Sequence, residues 1–348
     1  MTDKSSQKKN IKEYSLEELK QILQKRQEPL YHARQIFSWV YKKGARDFEA
    51  MSDLPQPLRA KLKEYFTFFD LRGAERVVSK DGTVKLLLAA ADDNLIEAVS
   101  IPTAKRMTGC VSTQAGCKFA CGFCASGLRG FKRNLTPGEI LDQVLLLKDN
   151  SPGRTLTHLV FMGTGEPFDN YDNVMKAIRM INAPEGINIG ARRITVSTCG
   201  IIPGIQRLAG EGLQIELSVS LHAADDQIRS RLMPVNKKYP FSDLMETCRV
   251  YAKKTGRQVT FEYVLIRGLN SDLRSAQKLC TIVKGMNAKI NLIPANTVRE
   301  CGFEAPFREE IWSFKDFLAK HGVHVTLRRE RGTDIQAACG QLRLKYER

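Results

Sequence analysis

Apolar residues recur at helical spacing in three stretches near the N-terminus: LEELKQILQKR (16–26), YHARQIFSWVYKKG (31–44) and LPQPLRAKLKEYF (54–66). Steps of three and four residues put one apolar stripe on each helix. Ser15 followed by Glu18 has the spacing of a capping box, and Gly44 supplies a stop for the second helix. Two extended runs come next, TVKLLLAAAD and NLIEAVSIP, with Asp-Gly and Asp-Asp-Asn turns before them. From residue 109 onward strand-like and helix-like stretches alternate. The strand candidates are GCVSTQ, THLVFMG, RITVSTCG, IELSVSLHA, QVTFEYVLI, KINLIPAN and VHVTLRR. Between most of them lie PGEILDQVLLLKD, YDNVMKAIRMIN, FSDLMETCRVYAKK, DLRSAQKLCTIVKG and REEIWSFKDFLAKHG, each amphipathic. The strand runs are β-branched and nearly continuous in apolar character, which predicts strands buried on both faces.

Repeated β-α units predict an α/β fold with a parallel sheet, closed or partly closed into a (β/α) barrel. The expected organisation is an N-terminal helical accessory domain (1–82), an extended connecting segment (83–108) and a barrel core (109–348). Chemistry in such folds sits at the C-terminal ends of the strands. Here those ends carry Gly163-Thr164-Gly165-Glu166, Ser197-Thr198-Cys199, Ser220-Leu221-His222 and Pro294-Ala295-Asn296. Glu97 stands in the otherwise apolar Leu95-Ile96-Glu97-Ala98-Val99. It reads either as a carboxylate facing water or as a half-buried base.

With 348 residues, 43% hydrophobic and 26% charged, the chain has the makeup of a folded protein rather than a disordered or fibrous one. No apolar run approaches the roughly 18 residues of a membrane span. The opening MTDKSSQKKN has no apolar stretch behind it, so a cytosolic protein is expected. Charge adds more. The formal net charge is +16. Residues 1–95 hold 18 basic and 14 acidic side chains, so +12 falls on the remainder. That excess suits a polyanionic partner, with nucleic acid the commonest, held by phosphate contacts on the larger part of the chain.

Nine cysteines are present, and Cys110, Cys117, Cys121 and Cys124 crowd into fifteen residues. Such crowding in a cytosolic chain points to metal or redox chemistry rather than a disulfide framework. Cys117-x-x-x-Cys121-x-x-Cys124 places three thiolates on a loop after the first barrel strand. A cubane iron–sulfur cluster normally takes four; three leave one iron open to a substrate. A zinc site would call for a fourth ligand close by, and a thioredoxin-like pair needs only CxxC. Cys339 follows Arg328, Arg329 and Arg331, cations that favour a thiolate.

The cysteine segment with its following barrel resembles the radical S-adenosylmethionine (SAM) enzymes. GCVSTQAGCKFACGFCASGLRGFKRNLTPGEI, GTGEPFDNYDNV, VSLHAADDQIRSRLMPVNKKYP and RGTDIQAACGQLR together resemble the RlmN/Cfr family of RNA adenine methyltransferases. The resemblance spans about residues 20–343 and implies a partial (β/α) barrel of the radical SAM type. It implies a [4Fe-4S] cluster on Cys117, Cys121 and Cys124, with the open iron chelating SAM, which reduction cleaves to a 5′-deoxyadenosyl radical. Glu166, Pro167, Ser197, Ser220, Leu221, His222 and Asn296 are implied as SAM contacts. The catalytic set it implies is Glu97, Cys110 and Cys339. Cys339 takes a methyl group from a first SAM, the radical from a second activates it, and it bonds to adenine. Glu97 accepts a proton, and Cys110 resolves the RNA-linked enzyme by forming a disulfide with Cys339.

The implied substrate is large-subunit ribosomal RNA, with tRNA as a second substrate, and the implied electron donor is a flavodoxin-like protein acting on a monomer. Thr164 stands where the family usually has Met. Pro167 follows the RlmN branch, where the Cfr branch has Ala, and so favours adenine C2 over C8. The rival readings are C8 methylation, an antibiotic-resistance activity, and a non-catalytic iron–sulfur protein that binds RNA.

Overall fold

The computed structural model describes residues 8–151, 153–295, 302–328, 331–335, 342 and 346. A short strand β1 (Lys9–Asn10) leads into helices α1 (Leu16–Lys25), α2 (Tyr31–Tyr41) and α3 (Gln56–Tyr65), and β2 (Phe66–Thr67) pairs parallel with β1. The expected capping box is present. Ser15 Oγ accepts from the Glu18 N–H at 3.2 Å, and Glu18 Oε2 accepts from the Ser15 N–H at 2.7 Å. Leu19, Leu23, Ile36, Phe37, Val40, Leu58 and Leu62, all at helical spacing, are buried.

The main sheet has ten strands. It opens with β3 (Arg72–Val78), β4 (Val84–Ala89), β5 (Leu95–Pro102) and β6 (Met107–Cys110), each antiparallel to the one before. The stretch expected to connect the N-terminal helices to the core is therefore hydrogen-bonded into the sheet. A hairpin, β7 (Gln114–Gly116) and β8 (Phe131–Asn134), stands apart as its own small sheet. Then come α4 (Pro137–Asp149), β9 (His158–Phe161), α5 (Tyr171–Asn182), β10 (Ile194–Thr198), α6 (Ile202–Leu208), β11 (Glu216–Ser220), α7 (Asp226–Leu232) and α8 (Phe241–Thr255). The chain continues through β12 (Val259–Leu265), α9 (Leu273–Val283), β13 (Ala288–Pro294), α10 (Arg308–Lys320) and β14 (Val325–Leu327). At seven residues each, α6 and α7 are too short to show a helical period in the sequence.

Strands β6 and β9 through β14 are parallel, and each new strand adds to the same edge. Because crossovers are right-handed, a sheet that always steps one way carries its helices on one face and leaves the other concave. The chain also shows that the sheet curls. Arg328 N–H bonds to Leu292 O beside β14, while Gly332 N–H bonds to Asp81, in the turn between β3 and β4. Four residues span at most about 14 Å, whereas eight strand steps laid flat would separate those points by roughly 38 Å.

The burial of these strands corrects one expectation. They are not apolar on both faces. Val196, Leu217, Val219, Phe261, Tyr263, Ile290 and Leu292 are fully buried. The alternate positions are Thr195, Ser197, Glu216, Ser218, Ser220, Thr260, Glu262, Lys289, Asn291 and Thr326, and cross-strand register sets them on the opposite, concave face. A barrel that must receive a polar ligand has one dry face and one polar face.

The N-terminal helices are clamped to the core by charge. Lys12 is 2% exposed and forms ion pairs with Asp70 and with Asp142 of α4. Asp142 Oδ2 also accepts from the Leu71 N–H at 2.6 Å, and the Tyr41 hydroxyl donates to Lys12 O at 3.0 Å. Lys12→Ala leaves a buried carboxylate without its cation. We expect it to cost about 3–5 kcal/mol, read as a lower denaturation midpoint at unchanged slope; a loss under 1 kcal/mol would contradict the clamp.

Candidate active site

The strand ends meet at the segment Val111–Gln114, which is fully buried. Its backbone is held by side chains and by the neighbouring strand end. Gln143 of α4 brackets Ser112, accepting from its N–H at 2.8 Å and donating to its carbonyl at 3.0 Å. The Thr164 carbonyl accepts from Thr113 N–H at 2.9 Å and Gln114 N–H at 3.2 Å. The Thr164 N–H donates to Ser112 Oγ at 2.9 Å, and that hydroxyl donates to Glu97 O at 2.6 Å. The two glycines flanking Thr164 are steric requirements. A Cβ on Gly163 would lie 2.7 Å from Ser112 N, and one on Gly165, at φ +107°, would lie 2.6 Å from Gln114 Cβ. Thr164, where the family usually has Met, is itself fully buried, and its hydroxyl has no hydrogen-bond partner.

Glu166 ties three strand ends together. Its N–H donates to Gln114 Oε1 at 2.9 Å, and its carboxylate accepts from Phe168 N–H at 3.0 Å and Cys199 N–H at 2.7 Å. Burial pushes this carboxyl up, against those hydrogen bonds. Pro167, buried, opens the 3-10 turn that follows.

The cysteine loop hangs from this knot. Cys117 N–H donates to Gly130 O at 3.1 Å, and Gly122 N–H donates to Leu232 O at the end of α7 at 2.8 Å. Phe123 meets the His222 ring edge-on, with centroids 4.6 Å apart. Cys117, Cys121 and Cys124 are all partly exposed. Burial pushes the Cys117 thiol up to about 12, with Cys124, Glu166 and Asp169 adding to the effect. Cys121 is raised well above the usual thiol range, first by burial and then by Cys124 and Cys117. The thiols are thus close enough to oppose one another's ionisation, and a positive centre among them would reverse that. Among the described residues no three ligating side chains converge as ligands of one metal ion. Three thiols on one short loop suit a multinuclear cluster by their chemistry, since each iron takes its own thiolate. The donor set fits the cluster that the sequence resemblance implies.

His222 is 4% exposed and left-handed, at φ +55°. Its Nδ1 accepts from Val264 N–H at 3.0 Å, which leaves Nε2 as the protonated nitrogen. Burial, and then Arg229, push it down to about 3, so it is neutral. Leu221 is fully buried and its N–H bonds to Glu262 O at 3.0 Å. Ser197 and Ser220 lie half-buried on the concave face.

Glu97 and Cys110 lie on one face of the sheet. Cys110 of β6 is opposite Val99 of β5, Glu97 is two residues along β5, and Lys85 of β4 is opposite Val99 on the other side. All three are buried, and Lys85 Nζ is 3.0 Å from Glu97 Oε2. The carboxylate therefore does not face water. Asn296 and Cys339 lie outside the described residues.

Three groups were missed in the sequence. Lys85 was visible as a lone cation in VKLLLA, one strand before a lone carboxylate. Glu262, 7% exposed, accepts from Ser218 Oγ at 2.7 Å and Asn291 Nδ2 at 2.8 Å; its alternation with Phe261 and Tyr263 was the available signal. Arg229 gave none, because its helix is short.

Comparison with known proteins agrees with this architecture. Residues 111–279 match the radical SAM superfamily, and residues 9–67 match the ribosomal RNA large subunit methyltransferase N-terminal domain. A Thermoanaerobacter sp. (strain X514) protein named "Probable dual-specificity RNA methyltransferase RlmN" is 48% identical, over 97% of this chain and 98% of that protein. A Geobacillus kaustophilus protein of the same name is 46% identical over 97% of this chain and 93% of that one. The crystal structure of a radical SAM methyltransferase from Sphaerobacter thermophilus superposes with a TM-score of 0.92 at 44% identity, covering 96% of this chain and 98% of that one. Among the described residues no helix is long and apolar enough to cross a membrane. With relatives this similar along nearly its whole length, the chain belongs to the RlmN family of radical SAM RNA methyltransferases.

Proposed function

We propose that this chain methylates C2 of an adenosine in large-subunit ribosomal RNA and in tRNA. It would act in the cytosol as a monomer and draw electrons from a flavodoxin-like donor. The observation that carries the reading is the juxtaposition at one rim. The loop that carries Cys117, Cys121 and Cys124 meets the ends of β11 and α7 through Phe123 and Gly122, and Cys110 and Glu97 share one buried sheet face. The full-length similarity to proteins named RlmN supports the same reading.

A cluster on Cys117, Cys121 and Cys124, with SAM bound, supplies the electron, the methyl carbon and the hydrogen-abstracting radical. The protein's residues do the rest. Cys339 would take the methyl group, with S-adenosylhomocysteine as the leaving group, and hold it as a thioether until the carbon bonds to the adenine. Glu97 takes the ring proton displaced at C2, with Lys85 as the countercharge that permits a buried carboxylate. The Cys110 thiolate attacks the Cys339 sulfur. The carbon–sulfur bond breaks with its electron pair going to the methylene carbon, a proton completes the methyl group, methylated RNA leaves, and a disulfide remains. Glu166, Pro167, Ser197, Ser220, Leu221, His222 and Asn296 would line the SAM site. The N-terminal helices, fixed to α4 through Lys12, would hold the RNA backbone.

Anaerobic reaction of the reconstituted protein with SAM, dithionite and a ribosomal RNA fragment or tRNA tests this. Digested RNA is expected to give a 2-methyladenosine peak by chromatography. An 8-methyladenosine peak would keep the chemistry and overturn the position. Neither peak, with SAM cleavage verified, would overturn the substrate. Cys339→Ala is expected to abolish turnover and leave the iron–sulfur absorbance intact; loss of that absorbance would make Cys339 a ligand instead.

A further inference from the structure

Arg229 on α7 is completely buried. Its Nη1 donates to Asn236 Oδ1 at 2.7 Å, and its Nη2 donates to the carbonyls of Cys199 at 2.6 Å and Ser220 at 3.3 Å. Its Nε has no hydrogen-bond partner. Every partner named is neutral, and among the described residues no carboxylate forms an ion pair with it. That sets it apart from the other fully buried cations. Lys12 has Asp70 and Asp142, and Lys85 has Glu97. An unpaired guanidinium in the interior is costly unless a negative charge answers it.

The geometry says where that charge belongs. The helix carrying Arg229 ends at Leu232, whose carbonyl accepts the Gly122 N–H between Cys121 and Cys124. The peptide of Cys199 is held on one side by Arg229 and on the other by Glu166. Its charge is felt by the thiols of Cys199, Cys121 and Cys248, by the Asp226 carboxylate and by the His222 ring. Asp226 is exposed and engages Asn236.

We propose that Arg229 is the fixed counter-charge of the centre held by Cys117, Cys121 and Cys124, and that it raises the reduction potential of that centre. The inference rests on reading those thiols as iron–sulfur ligands. Three thiolates outweigh the positive charge of a cubane core, and the electron taken up on reduction adds one more negative charge. No bond forms or breaks in that step. A nearby buried cation stabilises the reduced form more than the oxidised one. Arg229 is therefore a positioning and tuning residue; with both Nη atoms committed to protein acceptors, it has no role in touching substrate.

The test is a dithionite titration of the full-length reconstituted protein without SAM, following the reduced cluster by electron paramagnetic resonance. Arg229→Gln keeps hydrogen-bonding capacity and removes the charge. It is expected to lower the one-electron equilibrium constant at least tenfold, about 59 mV. Arg229→Lys, which keeps the charge, is expected to stay within about threefold of the parent protein. The exchange Asp226→Asn with Asn236→Asp preserves the side-chain hydrogen bond between those positions and brings a carboxylate against Nη1. It is expected to lower the potential with Arg229 in place, and it decides the matter if Arg229→Gln does not fold. Unchanged potentials in Arg229→Gln and in the exchanged pair, with melting temperature lowered alike in Gln and Lys, would make Arg229 a structural clamp and overturn the proposal. A parent protein that takes up no iron and sulfide would instead overturn the reading of the thiols.

Discussion

A polypeptide that crosses the interior must satisfy every peptide group it buries, and the rim of this barrel is organised around that constraint at Val111–Gln114. Val111 N–H goes to Val160 O, and its carbonyl takes Gly163 N–H. Ser112 is bracketed by Gln143. The Thr113 carbonyl takes Leu135 N–H and Asn170 Nδ2. Since backbone meets backbone here with no room between, the neighbouring strand end has glycine at 163 and 165. Gln114 then reaches Glu166, Glu166 reaches Cys199, and the cysteine loop begins at Cys117, three residues after Gln114. A flexible-looking loop is thereby fixed at its base by a rigid polar knot.

Charge follows a parallel logic. The protein buries ions as pairs where they serve structure: Lys12 with Asp70 and Asp142 joins two parts of the chain, and Lys85 with Glu97 sits beside Cys110. Removing one member of such a pair costs more than the pair contributes, so each fixes the arrangement around it. Among the fully buried cations of the described residues Arg229 is the departure, and it lies behind the cysteine loop rather than in a structural seam. The concave face shows a third use of polarity. Ser218, Glu262, Asn291 and Thr326 hydrogen-bond in a row across four strands, with uncharged side chains around a single carboxylate.

Much of the fold was legible because the pattern is local. Helices α4 and α5 match their predicted spans, and Ser15 caps α1 as its spacing indicates, since a 3.6-residue period over ten or more residues and a cap at fixed offset need no tertiary information. The short α6 and α7 lacked that length. Reading β10 to β13 as apolar on both faces failed for a physical reason. Serines and threonines between β-branched residues look continuous in composition, and only register reveals that they share one face.

By itself the sequence determined the order of β and α units, the excess of positive charge, the three-cysteine spacing and the motifs that carry the family resemblance. These are properties of neighbours along the chain. The tertiary structure alone decided that Lys85 neutralises Glu97, that Lys12 clamps the N-terminal helices to α4, and that Arg229 enters the interior without an acid. Each depends on residues brought together from distant segments, where burial multiplies the strength of an electrostatic contact and the penalty for lacking one. No periodicity or spacing encodes such a meeting; it exists only once the sheet has curled and its strand ends have converged.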